Sequence, residues 1–413
     1  MLASIKDRIN LEKTIYYSVL IFAFALPLSR ALISLFVILL PLVWLFEGDF
    51  QRKYEQIRSS KLLMAILFFL AFSALSITWT ENLTVGMKGL RLNLYFLALF
   101  VIATSIKKEQ IQSIITAFLL GMFISEVIAY GVFFEFWTFK NATVQNPSPF
   151  MMHIDYSVFM AFTSLLLLNR IFANHYELKE KFIYVFFFLT VTGNLFLAIG
   201  RTGQVALIIG IIVMVIIHFR VTIKSIFIST LLLLSIFTVA FSVSDTFKMR
   251  ANAGLNDIKK ISEINLNSSW GVRVAYVIVT YDIFKEDPLI GVGIGDYRDQ
   301  TILMLETQEY PYLSEGSKKF MKKFHPHNQY LFILMQMGII GLLLFMYIMY
   351  RVFTIKIENP EIKELSILFG TIFFVSCIPE PLLAKQFTLG LFILFIGLLS
   401  IESTSIQRES DKR

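Results

Sequence analysis

Charge is scarce in this chain. Only 16% of its 413 residues are Asp, Glu, Lys or Arg, where a water-soluble domain usually carries about 25%. Apolar residues make up 56%, and the mean hydropathy is +0.69. A chain of this size with so little charge cannot cover a water-facing surface, which excludes a soluble globular protein. Cysteine is nearly absent. The single Cys377 lies in an apolar run, which excludes an intramolecular disulfide and a Cys-based metal site. The common metal signatures are missing too, with no His-Glu-x-x-His run and no Asp-x-Asp pair. No repeat or low-complexity tract stands out. Met1 to Lys13 is polar and amphipathic, without a small-residue cleavage pattern, so no cleaved signal peptide is expected.

Long apolar runs are what the chain has instead. About twelve windows are apolar enough to cross a bilayer, at 14–28, 31–46, 62–78, 90–104, 111–134, 156–172, 182–199, 204–219, 223–243, 327–350, 364–379 and 385–401. They indicate an all-α polytopic membrane protein of about 12 transmembrane helices surrounded by membrane lipids, since only helices or closed barrels satisfy their backbone in hydrocarbon. Three regions follow: helices 1–9 over 1–243, a long loop with short amphipathic helices over 244–326, and helices 10–12 with a short tail over 327–413.

The net charge of +7 would suit nucleic acid, but in a membrane chain the placement of Lys and Arg carries the information. With the N-terminus inside, short inner segments hold 20 of the 37 basic residues. Short outer segments hold six, namely Arg30, Lys88, Arg91, Lys140, Arg201 and Lys385, and the long loop holds 11. This bias places both termini in the cytoplasm. It requires the tight pair around Pro27, Ser29 and Arg30 to be two spans, because merging them reverses the bias. No nucleic-acid partner is expected.

The unusual residues fall on the outer side. Residues 135–155 form a Pro/Asn-containing loop ending in Met152-His153-Ile154-Asp155. The 244–326 loop has as many acidic as basic residues and is expected to fold. Within it, 273–285 reads as an amphipathic helix ended by Asp287-Pro288, and Gly291, Gly293 and Gly295 follow as a flexible turn. Those glycines lack the spacing and the flanking βαβ unit of a dinucleotide fingerprint.

Arg201, in Gly200-Arg201-Thr202-Gly203, sits between two apolar spans with almost no loop. A guanidinium there either clamps an anion such as phosphate or snorkels to headgroups. Its position outside, where the charge bias gives no reason for it, favours the clamp. Arg273 opens the amphipathic helix and has the same two readings, clamp or surface ion pair. Arg30 and Arg91 are further cations at outer span ends. Phe324-His325-Pro326-His327-Asn328-Gln329-Tyr330 precedes the tenth span, and a histidine at such a mouth suits general-base work. A metal bound by His325, His327 and His153 and a purely structural histidine are the rival readings. The basic run Lys318, Lys319, Lys322 and Lys323 falls on one side of a short helix, facing anionic groups or solvent.

Taken together, these features resemble the O-antigen ligase family, whose membrane domain is shared with O-antigen polymerases and O-linked protein oligosaccharyltransferases. The resemblance spans nearly the whole chain. Its most specific parts are Asp-Pro-Leu-Ile-Gly-Val-Gly-Ile-Gly at 287–295 and His-Pro-His-Asn-Gln-Tyr-Leu at 325–331. It implies a GT-C-type glycosyltransferase without metal or other cofactor. Such an enzyme moves a glycan from an undecaprenyl-pyrophosphate donor to an acceptor hydroxyl at the periplasmic face of the bacterial inner membrane. In the ligases the acceptor is the lipid A–core. Carried over by motif, Arg201 and Arg273 would hold the donor pyrophosphate and His327 would be the base. Arg30, Arg91, His325 and Asn328 are supporting candidates. A polymerase or a protein oligosaccharyltransferase would use the same donor. A lipid-linked glycan transporter would instead place charges at mid-membrane and break helices in paired positions.

Overall fold

The computed structural model describes residues 10–219, 222–243 and 245–410. Lys6, Arg8, Arg220, Lys412 and Arg413, counted above as inner charges, lie outside the described residues.

Each expected apolar run folds as helix, and local chemistry sets where the helices begin. The first two are α1 (Leu11–Ala25) and α2 (Arg30–Glu47). The Ser29 hydroxyl accepts the Leu32 N–H at 3.3 Å, capping α2 and making the tight pair two helices rather than one kinked one. A short helix α3 (Phe50–Ser59) leads to α4 (Lys61–Leu75), α5 (Leu83–Asn93) and α6 (Leu97–Ser105). Then follow α7 (Ile111–Phe133), α8 (His153–Phe172), α9 (Leu178–Leu197), α10 (Arg201–Phe219) and α11 (Ile223–Val243). The long loop folds into α12 (Asp245–Ser262), α13 (Ser269–Glu286), α14 (Tyr297–Thr307) and α15 (Glu315–Lys323). The chain returns through α16 (Gln329–Thr354), α17 (Pro360–Ser376) and α18 (Gln386–Ser410). Asn359 caps α17 and Pro360 takes its first position, where a missing N–H costs nothing.

Nine segments among the described residues are long and apolar enough to cross a membrane, so this is a multi-pass membrane protein. Of the other expected spans, α1 has 15 residues and α17 has 17. The expected 90–104 span begins earlier, at Leu83. The two innermost segments are α8, with 83% of its window buried, and the 386–403 part of α18, with 89%. α8 packs on α9, α10 and α17, and α18 packs on α6. The 135–152 and 245–323 segments share one face of the bundle, here termed the loop face. The loop-face helices build their own small apolar core from residues such as Tyr276, Val279, Met304 and Met321, closed by Met335 of α16.

The glycine-rich stretch is a rigid insertion and not a flexible turn. α16 breaks at Gly338, where φ is +58°. The 288–293 segment fills the break: Val292 and Gly293 donate to the carbonyls of Met335 and Gln336, while Ile339 and Ile340 donate to those of Pro288 and Leu289, all at 2.9–3.2 Å. An interrupted helix at membrane depth needs such partners for its freed backbone groups. Gly291 and Gly293 also have positive φ, and a Cβ at Gly291 would collide with the α16 backbone. Close approach and left-handed backbone, not phosphate, explain these glycines.

Candidate active site on the loop face

Between α17 and α18 the chain reads Ile378-Pro379-Glu380-Pro381. Neither proline can donate a hydrogen bond or continue a helix, so Glu380 is presented on a short irregular link. The link is stapled to the start of α16. The Gln329 N–H donates to the Cys377 carbonyl at 2.8 Å, and the Leu383 N–H donates to Gln329 Oε1 at 2.9 Å. This places Glu380 beside the His325–His327 segment.

Glu380 is 1% exposed and forms the hub of the site. His327 Nδ1 lies 3.0 Å from its Oε2, and Lys385 Nζ lies 2.8 Å from its Oε1. Lys385 also reaches Asp155 Oδ1, in the first turn of α8, at 3.2 Å. Burial alone would discourage ionisation of Glu380. The His327 hydrogen bond and the Lys385 ammonium outweigh it and hold the carboxyl down at about 2. An ionised carboxylate can only accept, so His327 Nδ1 carries the hydrogen. In neutral His327 the lone pair is therefore on Nε2, the arrangement a general base needs.

His327 sits in left-handed backbone at φ +48°, uncommon for a residue with a Cβ and typical of strain held at functional sites. Its N–H donates to His325 Nδ1 at 3.3 Å, which helps hold that turn. His325 Nε2 stands 3.7 Å from Glu380 Oε1, too far for a good hydrogen bond. Burial drives the His325 pKa down to about 4, against the pull of Glu380, so at neutral pH it is an uncharged support.

Arg201 is the first residue of α10, and that helix presses on α8. The Gly203 N–H donates to Ser157 Oγ at 3.1 Å, and a Cβ at Gly203 would collide with the Ser157 backbone. The glycine in Arg-Thr-Gly thus brings Arg201 close to the start of α8. Arg273 lies in the second turn of α13, its guanidinium 5.6 Å from the Trp270 ring centre. Burial lowers its pKa, with Glu380 opposing and the like charge of Arg201 adding to the effect. Arg273 therefore lies in the fields of both Arg201 and Glu380. Arg273 and His327 line one cavity of about 550 Å³ together with Asn267, Ser268, Ser317 and Phe320. Phe320 stacks against the His327 ring at 16°.

The other candidates separate. The Arg30 guanidinium lies 5.3 Å from the Phe387 ring centre and in the field of Asp155, on the far side of the Lys385 link from His327. Arg91 is not at a span end. It is exposed in the last turn of α5, two turns into the longer 83–105 segment, and does not line the cavity of Arg273 and His327. Asn328 caps α16, its Oδ1 accepting the Leu331 N–H at 3.0 Å; that role is local. Of the four loop lysines, Lys318 and Lys322 are engaged in ion pairs with Glu315 and Glu306.

The rival metal grouping changes membership. His153 lines a different cavity, with Arg30, and Glu380 takes its place, so that one ligand atom each of His325, His327 and Glu380 lie within 4.8 Å of one another. Three donors of this kind suit zinc in number. The Lys385 ammonium, however, already sits on the carboxylate where a second cation would have to bind. The set fits an ion pair better than a metal.

Glu380, Lys385 and Asp155 escaped the motif reading. Glu380 left one signal, a lone acid between two prolines at the end of an apolar run. Lys385 and Asp155 were visible only as an outer cation and a loop residue.

The fold and this ionic hub define a polytopic membrane protein with a polar, histidine-containing site at one membrane edge. Residues 186–346 match the model of a family described as O-antigen ligase. The match contains Arg201, Arg273, His325 and His327. Asp155, Glu380 and Lys385 fall outside it. No curated protein matches the chain.

Proposed function

We propose that this protein is an O-antigen ligase, an inverting glycosyltransferase of GT-C-type architecture that works without a metal. It would sit in the bacterial inner membrane with both termini cytoplasmic and the loop face periplasmic. The donor would be an undecaprenyl-pyrophosphate-linked glycan and the acceptor the lipid A–core.

The observation that carries this reading is the His327–Glu380 pair opening on the same cavity as Arg273, with Arg201 in electrostatic reach. A sugar pyrophosphate already has a good leaving group. The protein has two tasks: to stabilise charge on the departing pyrophosphate, and to remove the acceptor's proton. Arg201 and Arg273 suit the first, since their forks match phosphate oxygens. His327 suits the second. Its Nε2 takes the proton as the acceptor oxygen forms a bond to the anomeric carbon. The bond from that carbon to the pyrophosphate oxygen breaks on the opposite face, and its electron pair leaves with undecaprenyl pyrophosphate. One such displacement inverts the anomeric centre. The imidazolium formed on His327 is stabilised by Glu380, and Lys385 and Asp155 keep Glu380 from turning away.

His327→Ala and Arg201→Ala should each abolish transfer while membrane insertion persists. Normal lipopolysaccharide laddering in a ligase-null host complemented with either variant would sink the assignment. Chelators should leave activity unchanged. Purified protein given the lipid-linked donor with lipid A–core, a second lipid-linked glycan or a peptide should glycosylate the first. Product from either of the others would make it a polymerase or a protein oligosaccharyltransferase.

A further inference from the structure

A second cavity of about 420 Å³ lies on the loop face. Arg30 and Lys140 line it with Asn141, Asn146, Ser148 and His153. It shares no lining residue with the cavity of Arg273 and His327. Two cations from separate elements meet there, Arg30 at the start of α2 and Lys140 in the 135–152 segment, and no acid is among the lining residues. The nearby Asp155 pairs with Lys385 at 3.2 Å and also lies in the field of Arg30.

Lys140 is exposed, with its ammonium flanked by two aromatic rings. Its backbone is left-handed, φ +48°, and its ammonium rests 5.1 and 5.4 Å from the ring centres of Phe139 and Phe150. Those two rings pack edge to face, 4.9 Å apart. A pre-positioned cation loses little freedom when an anion arrives. Asn141, Asn146 and Ser148 add amide and hydroxyl groups able to bond phosphate oxygens. Beside it the chain exposes Phe134, Phe136 and Trp137; Trp is a residue that concentrates at a membrane–water interface, and the two Phe rings add apolar surface next to it. Cations beside such a rim suit a phosphate attached to a lipid better than one free in water.

We propose that this cavity is a second anion subsite that takes the phosphate of a phosphorylated glycolipid, on the acceptor side of the reaction. Anion binding rests on the cavity alone, and its assignment to the acceptor rests on the function proposed above.

The test uses full-length protein in the Arg201→Ala/Arg273→Ala background, so that donor-site binding does not contribute. Dihexanoyl phosphatidic acid and inorganic phosphate are titrated separately, with calorimetric readout. The lipid should bind at least tenfold more tightly than inorganic phosphate. Adding Arg30→Gln and Lys140→Gln should weaken lipid binding at least tenfold, and Arg30→Lys with Lys140→Arg should restore most of it. Unchanged lipid affinity in the Gln variant, or no binding before it is introduced, overturns the subsite. Equal affinity for inorganic phosphate overturns its lipid character. In otherwise wild-type protein, Arg30→Gln/Lys140→Gln should raise the KM for phosphorylated acceptor about tenfold. The donor KM should stay the same, and the difference should vanish with dephosphorylated acceptor. A donor KM that rises instead overturns the acceptor assignment. If lipid binding behaves as expected but no acceptor is ever glycosylated, the subsite stands and the ligase reading fails.

Discussion

Two buried carboxylates stand at opposite ends of α17 in different surroundings. Glu361, in the first turn, is closed in on every side. Tyr176 donates to its Oε1 at 3.0 Å, Gln112 donates to its Oε2 at 3.0 Å, His175 Nε2 is 3.2 Å from Oε2, and Arg170 Nε is 3.9 Å from Oε1. Its carbonyl also accepts from Asn169 at 2.8 Å, and its charge sits at a helix N-terminus, where it is favoured. This network ties α7, α8 and α17 together. Glu380, four residues past the end of the same helix, also pairs with a histidine, His327, and with a lysine in place of the arginine. Its histidine lines a cavity and sits in left-handed backbone. A buried ion pair is therefore not in itself a sign of chemistry. The left-handed backbone of His327 and the cavity it shares with Arg273 distinguish Glu380 from Glu361.

The largest expected effect separates the two directly. Glu380→Ala should cut transfer on the order of 10³-fold, the scale of losing a positioned base, while the protein stays in the membrane. Glu361→Ala should leave turnover per folded molecule within about threefold. It should destabilise by about 3–5 kcal/mol, the cost of stranding a buried cation, Arg170, read as a lower apparent Tm in detergent. Glu361→Ala losing turnover at full stability, or Glu380→Ala retaining it, would erase the contrast.

A subtler difference lies in pH. His325 has its pKa near 4 when folded and about 6.5 when unfolded. Between these values the unfolded chain binds the extra proton, so stability rises with pH across about 4 to 6.5 and is lost as pH falls through that window. Glu380, held at about 2, adds a loss of the same direction only below its ordinary value near 4.5. Apparent Tm measured from pH 4 to 7 should climb in wild type and flatten in His325→Asn. An unchanged slope in that variant would remove His325 from the account.

The smallest effect concerns Asn328. As a helix cap its replacement by Ala should cost about 1 kcal/mol of stability and leave the acceptor and donor KM unaltered. A selective change in either KM would return Asn328 to the substrate site.

Much of the fold was legible because hydrocarbon leaves the backbone few options. Each apolar run had to be a helix, and the charge bias alone split the tight pair around Pro27, Ser29 and Arg30 into two. The 90–104 boundary was misjudged because Lys88 and Arg91 read as a span end, whereas a cation on an exposed helix face can sit two turns inside one. Gly291, Gly293 and Gly295 announced irregular backbone, but not that Gly338, more than forty residues on, would break α16 to receive it.

The sequence by itself determined the membrane class and the helical architecture and singled out His327, Arg201 and Arg273 as candidates, since composition, apolar run length and short motifs are local properties. Only the tertiary structure decided which charges meet. Asp155 and His327 reach the Glu380–Lys385 link from distant parts of the chain, and only the two flanking prolines hint locally at which acid meets His327 and which braces the opposite end of α17. The sorting is done by packing, because a charge taken out of water must find its partner wherever the helices bring one.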